Sequence, residues 1–143
     1  MKNKIVLILI LFVLLIQCKS AKPSQAVSTL ENTYWKLAEM NGKPVLTPAD
    51  AKEVHIILTT VDSEQRLKGF AGCNAIGGNF RIHGNEIHFT VISTKMFCHN
   101  RMEIENYLTS ALSKAQTYSI EGEALSLYQG KEKLITLQAV YFK

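Results

Sequence analysis

The sequence lacks the short motifs that most often identify an enzyme. It contains no Gly-x-Ser-x-Gly elbow, no His-Glu-x-x-His metal motif, no Gly-Lys-Ser/Thr phosphate loop and no Cys-x-x-Cys redox pair. Neither an internal repeat nor a low-complexity segment is present. Because no catalytic set is complete, we expect a protein that is not an enzyme and that uses no cofactor and no metal.

A large charge of one sign is also missing. The chain has 16 basic and 12 acidic residues, which give a formal net charge of +4. Two of the basic residues, Lys2 and Lys4, belong to an N-terminal leader, and their removal lowers the charge to +2. This value is too small to indicate binding to nucleic acid.

The first 17 residues have the pattern of a signal peptide. The basic start precedes an unbroken apolar run of 12 residues, Ile5 to Ile16, which is too short to span a bilayer comfortably. The run ends at Leu15-Ile16-Gln17-Cys18, which resembles a lipobox, although Gln17 stands where a small residue is usual. We therefore predict a signal peptide over residues 1–17 and a lipid on Cys18. The alternatives are an ordinary secretory peptide with an incidental cysteine and an uncleaved anchor.

Removal of 17 of the 143 residues leaves 126, which is enough for one domain with a hydrophobic core. Lys19 to Thr29 contain Pro23 and four serine or threonine residues but no aromatic side chain. We therefore expect residues 18–31 to be the lipidated N-terminus and a flexible tether. Residues 32–143 are predicted to form the folded domain.

Several short runs alternate between apolar and polar residues, as β-strands do. The strongest signal is Gly84-Asn85, which predicts a tight hairpin turn that pairs Phe80 with Phe89 and Ile82 with Ile87 on the core face. The other predicted strands are Thr33 to Leu37, Val54 to Val61, Leu67 to Ala71, Tyr118 to Glu121, Ala124 to Tyr128 and Leu134 to Phe142.

One segment has helical spacing. Between Asn100 and Ala115, apolar residues such as Ile104, Leu108 and Leu112 recur every three or four positions. Asn100 is predicted to cap this helix together with Glu103, three residues later. The count of about eight strands to one helix predicts a mostly β protein (α+β).

Two punctuated motifs carry a family resemblance. They are Gly72-Cys73-Asn74, followed by Gly78, and Thr94-Lys95-Met96-Phe97-Cys98, and Tyr34-Trp35 precedes both. In this order they resemble the META domain family, which includes the heat-shock lipoprotein HslJ, from about Asn32 to Phe142. The resemblance implies a compact, curved antiparallel sheet or incomplete β-barrel with a helix packed against it. It also implies a fold signature at Trp35, Gly72, Asn74, Gly78, Thr94 and Met96, with no catalytic role.

Cys73 and Cys98 are the two cysteines of the predicted domain. An exported chain folds in an oxidising compartment, so we predict that they form a disulfide. Two buried free thiols are the alternative. A thiol enzyme that uses one of them is a further, less favoured possibility.

The remaining polar residues are interpreted structurally. The glycines around Asn74 are expected to supply positive φ, and the Asn74 side chain to bond to nearby backbone in a turn. His83 and His88 are expected on the solvent face of the hairpin. Glu103 and Glu105 are interpreted as acids that suit the start of a helix. Trp35 and Met96 are expected in the core.

These observations leave three hypotheses for function. The first is a lipid-anchored envelope protein, in the outer membrane or facing the periplasm, that binds an envelope protein or a small ligand, during envelope stress, as the resemblance implies. The second is a periplasmic hydrolase inhibitor with contact loops at Pro48 to Lys52, Asp62 to Gln65 and Gln129 to Lys131. The third is the thiol enzyme. Tyr34, Tyr128 and Tyr141 are candidate contact residues for a binding surface.

Overall fold

The computed structural model describes residues 28–142, and this part of the chain forms nine β-strands and one α-helix. The predicted class, mostly β with one helix, is therefore confirmed. The elements are β1 (Tyr34–Met40), β2 (Lys43–Pro44), β3 (His55–Val61), β4 (Glu64–Phe70), β5 (Ala75–His83), β6 (Glu86–Ser93), α1 (Met102–Lys114), β7 (Thr117–Glu121), β8 (Ala124–Gln129) and β9 (Glu132–Val140).

The strands form one curved antiparallel sheet whose ends meet. Its order is β2-β1-β3-β4-β5-β6-β7-β8-β9, and β1 pairs with β9 as well as with β3. All strands except the two-residue β2 therefore belong to a ring of neighbours. The contact between β6 and β7 is short, with Glu86 opposite Thr117, and α1 packs against β6, β8 and β9 beside it.

The core lies inside this ring and under α1. Trp35, Leu58, Phe80 and Leu112 are among its buried side chains, and the Trp35 indole N–H donates a hydrogen bond of 2.9 Å to the carbonyl of Leu30. A buried indole needs such a partner because its N–H would otherwise be left without a hydrogen bond. Trp35 is thus a core residue, as predicted.

The predicted hairpin is confirmed pair for pair. Phe80 lies opposite Phe89 and Ile82 opposite Ile87 on either side of the Gly84-Asn85 turn. Phe80 and Ile87 are buried, while Ile82 and Phe89 are half-buried and pack against the core.

The packed domain begins earlier than residue 32. Ser28 and Leu30 are buried, and the Ser28 N–H donates a hydrogen bond of 3.0 Å to the carbonyl of Gly122. Ser28 to Glu31 were expected to belong to the tether. Their backbone and side-chain bonds to the domain offset the polarity on which that expectation rested.

The predicted cap of the helix is wrong. The N-cap residue is Arg101, which makes no side-chain capping bond, and Asn100 is exposed. The reason is a turn immediately before α1, in which the Arg101 N–H donates to the carbonyl of Cys98. This turn places Asn100 one position before the N-cap.

No helix in the described range is long and apolar enough to cross a membrane. The predicted signal peptide, Cys18 and most of the predicted tether lie outside the described residues.

Candidate functional site

A disulfide joins the β4–β5 turn to the segment between β6 and α1. Cys73 and Cys98 are bonded, their Cα atoms lie 5.7 Å apart, and 25 positions separate them in the sequence. The predicted pairing is confirmed. It fixes the middle of residues 94–101, which we call the Phe97 loop.

Asn74 fixes the first part of the Phe97 loop. Its side-chain oxygen accepts hydrogen bonds from the Met96 N–H and from the Thr94 hydroxyl, each 2.8 Å long. Its amide nitrogen donates to the Met96 carbonyl and to Glu105 Oε1, again at 2.8 Å. A primary amide has two acceptor and two donor positions, so its full capacity is used. The predicted local turn bonds are wrong, because these partners lie 20 to 31 positions away.

Glu105 is a buried residue that the sequence analysis misplaced. Its side chain is 4% exposed, and its Oε2 accepts bonds from the Asn74 N–H at 2.7 Å and the Cys73 N–H at 3.2 Å. Its position was attributed to the helix dipole. The helical spacing of the sequence could have predicted its burial. Glu105 lies on the same helix face as Leu108 and Leu112, and all three are buried.

Two glycines of the motif hold conformations that side chains disfavour. Gly72 has a φ of +126° and Gly78 a φ of +143°, so the prediction of positive φ is confirmed at both. It is wrong for Gly69 and Gly77, which lie in the paired strands β4 and β5. A Cβ at Gly78 would also overlap the carbonyl oxygen of Thr90 on β6. Gly78 therefore permits the close approach of β5 and β6.

Met96 is exposed rather than part of the core, and that prediction is wrong. Its side chain is 62% exposed, and that of the adjacent Phe97 is 80% exposed. Asn74 binds both backbone polar groups of Met96, and this bonding holds the residue at the surface in spite of its apolar side chain. Two large apolar side chains thus stand in solvent on a loop held by a disulfide and an amide.

The Phe97 loop is basic at its flanks. It contains Lys95 and Arg101 and no acidic residue. The Arg101 guanidinium donates a bond of 3.2 Å to the carbonyl of Lys52, which ties the loop to the segment before β3. The His99 ring meets the Phe97 ring edge to face, with 6.4 Å between centroids.

The histidines do not converge on one site. His83 and His88 lie on the exposed face of the hairpin, as predicted, and His55 stacks on Tyr34 with 4.3 Å between ring centroids. Residues 28–142 contain no group of three His, Cys, Asp or Glu side chains placed to hold a metal ion. Burial and the nearby Glu53 carboxylate raise the pKa of Tyr34.

The three predicted contact loops differ in form. Of Asp62 to Gln65, only Asp62 and Ser63 form a loop, a two-residue turn, because Val61 pairs directly with Glu64 and Gln65 belongs to β4. Pro48 to Lys52 and Gln129 to Lys131 lie mostly exposed. Of the three candidate tyrosines, Tyr141 is exposed, whereas Tyr34 and Tyr128 are half-buried.

Comparison with known proteins identifies the fold. The family model of the META domain matches residues 28–141. An NMR structure of a protein from Burkholderia xenovorans is similar, with a TM-score of 0.63 and 21% identity over 79% of this chain and 85% of that chain. A second NMR structure has a TM-score of 0.60 and 21% identity over 78% of this chain and 94% of that chain. No curated protein matches.

Proposed function

The chain belongs to the META domain family, and we propose that it is a lipid-anchored, non-enzymatic protein of the bacterial cell envelope that binds a partner protein through the Phe97 loop. The sequence supports the anchor through the basic start, the apolar run and Cys18. The resemblance to a heat-shock lipoprotein supports a role for this binding in envelope stress.

The observation that carries the proposal is the combination of exposure and restraint in the Phe97 loop. Phe97 is 80% exposed, yet the loop is held at Met96 by Asn74 and at Cys98 by the disulfide. A loop that is already ordered loses little conformational entropy when it binds. Aromatic and methionine side chains are enriched in the centres of protein interfaces. The loop therefore has the properties of a binding anchor.

The charges of the loop define the partner's chemistry. Lys95 is exposed, and no acid in the loop balances Lys95 or Arg101. Complementary charge speeds association and selects among partners. We expect the partner to present an apolar pocket for Phe97 with acidic groups on its rim.

The arrangement of reactive groups supports a non-enzymatic role. Cys73 and Cys98 are bonded to each other, so neither is a free thiolate nucleophile. The Asn74 side chain is fully used in bonds to Thr94, Met96 and Glu105, and Glu105 accepts its bonds from the β4–β5 turn.

The same restraint favours one alternative partner. A rigid loop that projects an apolar side chain also suits the active-site cleft of a hydrolase, because protease–inhibitor complexes are formed between preorganised surfaces. In that case the Phe97 loop, rather than the predicted loops at Asp62 or Gln129, would enter the cleft. The identity of the captured partner separates the two functions.

The experiment is crosslinking in intact cells under heat or antibiotic stress, followed by capture of the full chain from membranes. The variant is Phe97→Ser and the matched control is Ile92→Ser, because Ile92 is 68% exposed on β6 outside the loop. We expect the control to retain the partner and Phe97→Ser to lose it. Retention by both variants, or capture of nothing by the wild type, contradicts the proposal. A partner whose hydrolase activity falls on binding establishes the inhibitor instead.

A further inference from the structure

A second exposed apolar surface lies where β1 pairs with β3 and β9. Tyr34 is the cross-strand neighbour of Ile57 on β3 and of Val140 on β9. All three point outward, because the residues next to them in each strand, such as Trp35 and Ala139, are buried. They are half-buried on the outer face of the sheet.

The C-terminal residues extend this surface. The Phe142 ring meets the Tyr34 ring edge to face with 5.0 Å between centroids. Phe142 is 75% exposed and Tyr141 is 58% exposed. We call Tyr34, Ile57, Val140, Tyr141 and Phe142 the aromatic face.

The chain enters the domain beside the aromatic face. The Ser28 hydroxyl lies 2.6 Å from the Tyr141 hydroxyl. Cys18 precedes Ser28 by ten positions, and ten residues in any conformation span at most about 36 Å. A lipid on Cys18 therefore keeps Ser28, at the edge of this face, within about 36 Å of the bilayer.

The charges around the aromatic face suit an anionic surface. Lys68 on β4 is the exposed cross-strand neighbour of Ile57 and forms no ion pair with any described residue. Lys19 and Lys22 lie between Cys18 and Ser28, where the sequence has no acid. Of the nearby acids, Glu53 is paired with Lys36, and Glu31 accepts a hydrogen bond from the Thr60 hydroxyl and keeps its charge.

We infer that the aromatic face lies against the surface of the bilayer to which Cys18 anchors the chain. The inference rests on the lipid anchor of the proposed function. Tyrosine and other aromatic side chains favour the membrane–water interface, and nearby lysines are attracted to anionic headgroups. A short tether gives the face a high effective concentration at the bilayer, so weak intrinsic affinity is enough.

This contact orients the Phe97 loop. In the ring of strands, β6 is four steps from β1 through β3, β4 and β5, and four steps through β9, β8 and β7. The Phe97 loop leaves β6 at Ser93. A domain that rests on its β1–β9 side therefore keeps the start of the loop, next to β6, on the opposite side of the ring. Arg101, at the end of the loop, reaches back to Lys52 before β3.

The test places a tryptophan on each side of the ring. The purified full-length lipidated chain carries Phe142→Trp or, as the matched control, Ile92→Trp, in vesicles of phosphatidylethanolamine with a minority of phosphatidylglycerol. The lipid acyl chains are brominated and quench nearby tryptophan fluorescence. Trp35 is fully buried and contributes the same background to both variants and to the wild type. We expect a blue shift and quenching for Phe142→Trp and neither for Ile92→Trp.

A charge reversal tests the lysine. Lys68→Glu in the Phe142→Trp background is expected to reduce the quenching. Arg81→Glu, an equal reversal at an exposed position of β5, is expected to leave it unchanged. Equal effects of the two reversals contradict a role for Lys68 at the bilayer.

The outcomes separate this inference from the anchor. A chain that fails to float with the vesicles overturns the anchor and the inference with it. A chain that floats while Phe142→Trp stays unquenched, or is quenched no more than Ile92→Trp, overturns the inference alone. A blue shift of Phe142→Trp in a Cys18→Ser chain without vesicles also overturns it, because the face is then covered by the upstream segment or by a second copy.

Discussion

Asn74 and Glu105 are joined by two hydrogen bonds across 31 positions of sequence. The Asn74 N–H donates to Glu105 Oε2 at 2.7 Å, and the Asn74 side-chain amide donates to Glu105 Oε1 at 2.8 Å. Through the remaining bonds of Asn74 to Met96, the pair connects the β4–β5 turn, the Phe97 loop and α1. A buried polar group that loses its partner is costly, so these three segments should be stable only together.

Glu105→Ala is expected to destabilise the domain strongly. It leaves the buried N–H of Asn74 without an acceptor, and each such loss costs about 1 to 3 kcal/mol. Glu103→Ala is the matched control, because Glu103 is exposed in the same turn of α1 and should change stability by less than about 0.5 kcal/mol. Urea unfolding of both variants measures the difference. Similar midpoints for the two would show that Glu105 does not hold the turn.

Loss of the disulfide is expected to cost about 3 kcal/mol, because a bridge across 25 positions restricts the unfolded chain by roughly that amount. Cys73→Ser, Cys98→Ser and the double variant should unfold at nearly the same denaturant concentration, since each removes the same crosslink. After reduction of its disulfide, the wild type should unfold at the same denaturant concentration as the variants. A double variant clearly less stable than either single one would contradict the bond.

Gly78→Ala is expected to destabilise the domain by about 2 kcal/mol or more, because it combines positive φ with overlap at the Thr90 carbonyl. Gly77→Ala is the neighbouring control. The nearest atom to its added Cβ is the Leu67 carbonyl oxygen at 3.7 Å, an ordinary contact distance. Thermal unfolding should separate the two variants, and equal melting temperatures would contradict the close approach of β5 and β6.

Cys18 is expected to carry the lipid. Cells grown with radiolabelled palmitate should label the wild type and leave Cys18→Ala unlabelled, because the apolar run ends at a lipobox-like Leu15-Ile16-Gln17-Cys18. Cys73→Ser should still be labelled, since Cys73 lies in the disulfide. Label in Cys18→Ala, or a mature N-terminus downstream of Cys18, would contradict the anchor.

The hairpin could be predicted from the sequence because the residues that determine its turn and register are neighbours in the chain. The Gly84-Asn85 turn and the alternation on either side fix the register, and Phe80 lies opposite Phe89 as expected. The closure of the sheet could not be predicted in this way. Tyr34 pairs with Val140, which is near the other end of the domain sequence, and no local pattern specifies that partner.

Glu105 and Met96 were misplaced for a related reason. Average preferences put a glutamate outside and a methionine inside. In this domain Asn74 provides buried partners for the Glu105 carboxylate and for the Met96 backbone, and these bonds reverse both preferences. Asn74 is distant from both in sequence, so the reversal depends on the completed fold.

The most direct measurement of the central claim, an exposed loop held in place by a buried amide, is hydrogen exchange at the Met96 N–H. This N–H donates to the Asn74 side chain, whereas the Lys95 and Phe97 N–H groups bond to none of the described residues. We predict slow exchange at Met96 between two rapidly exchanging neighbours, in spite of the 62% exposure of its side chain. Exchange at Met96 as fast as at Lys95 and Phe97 would show that Asn74 does not restrain the loop.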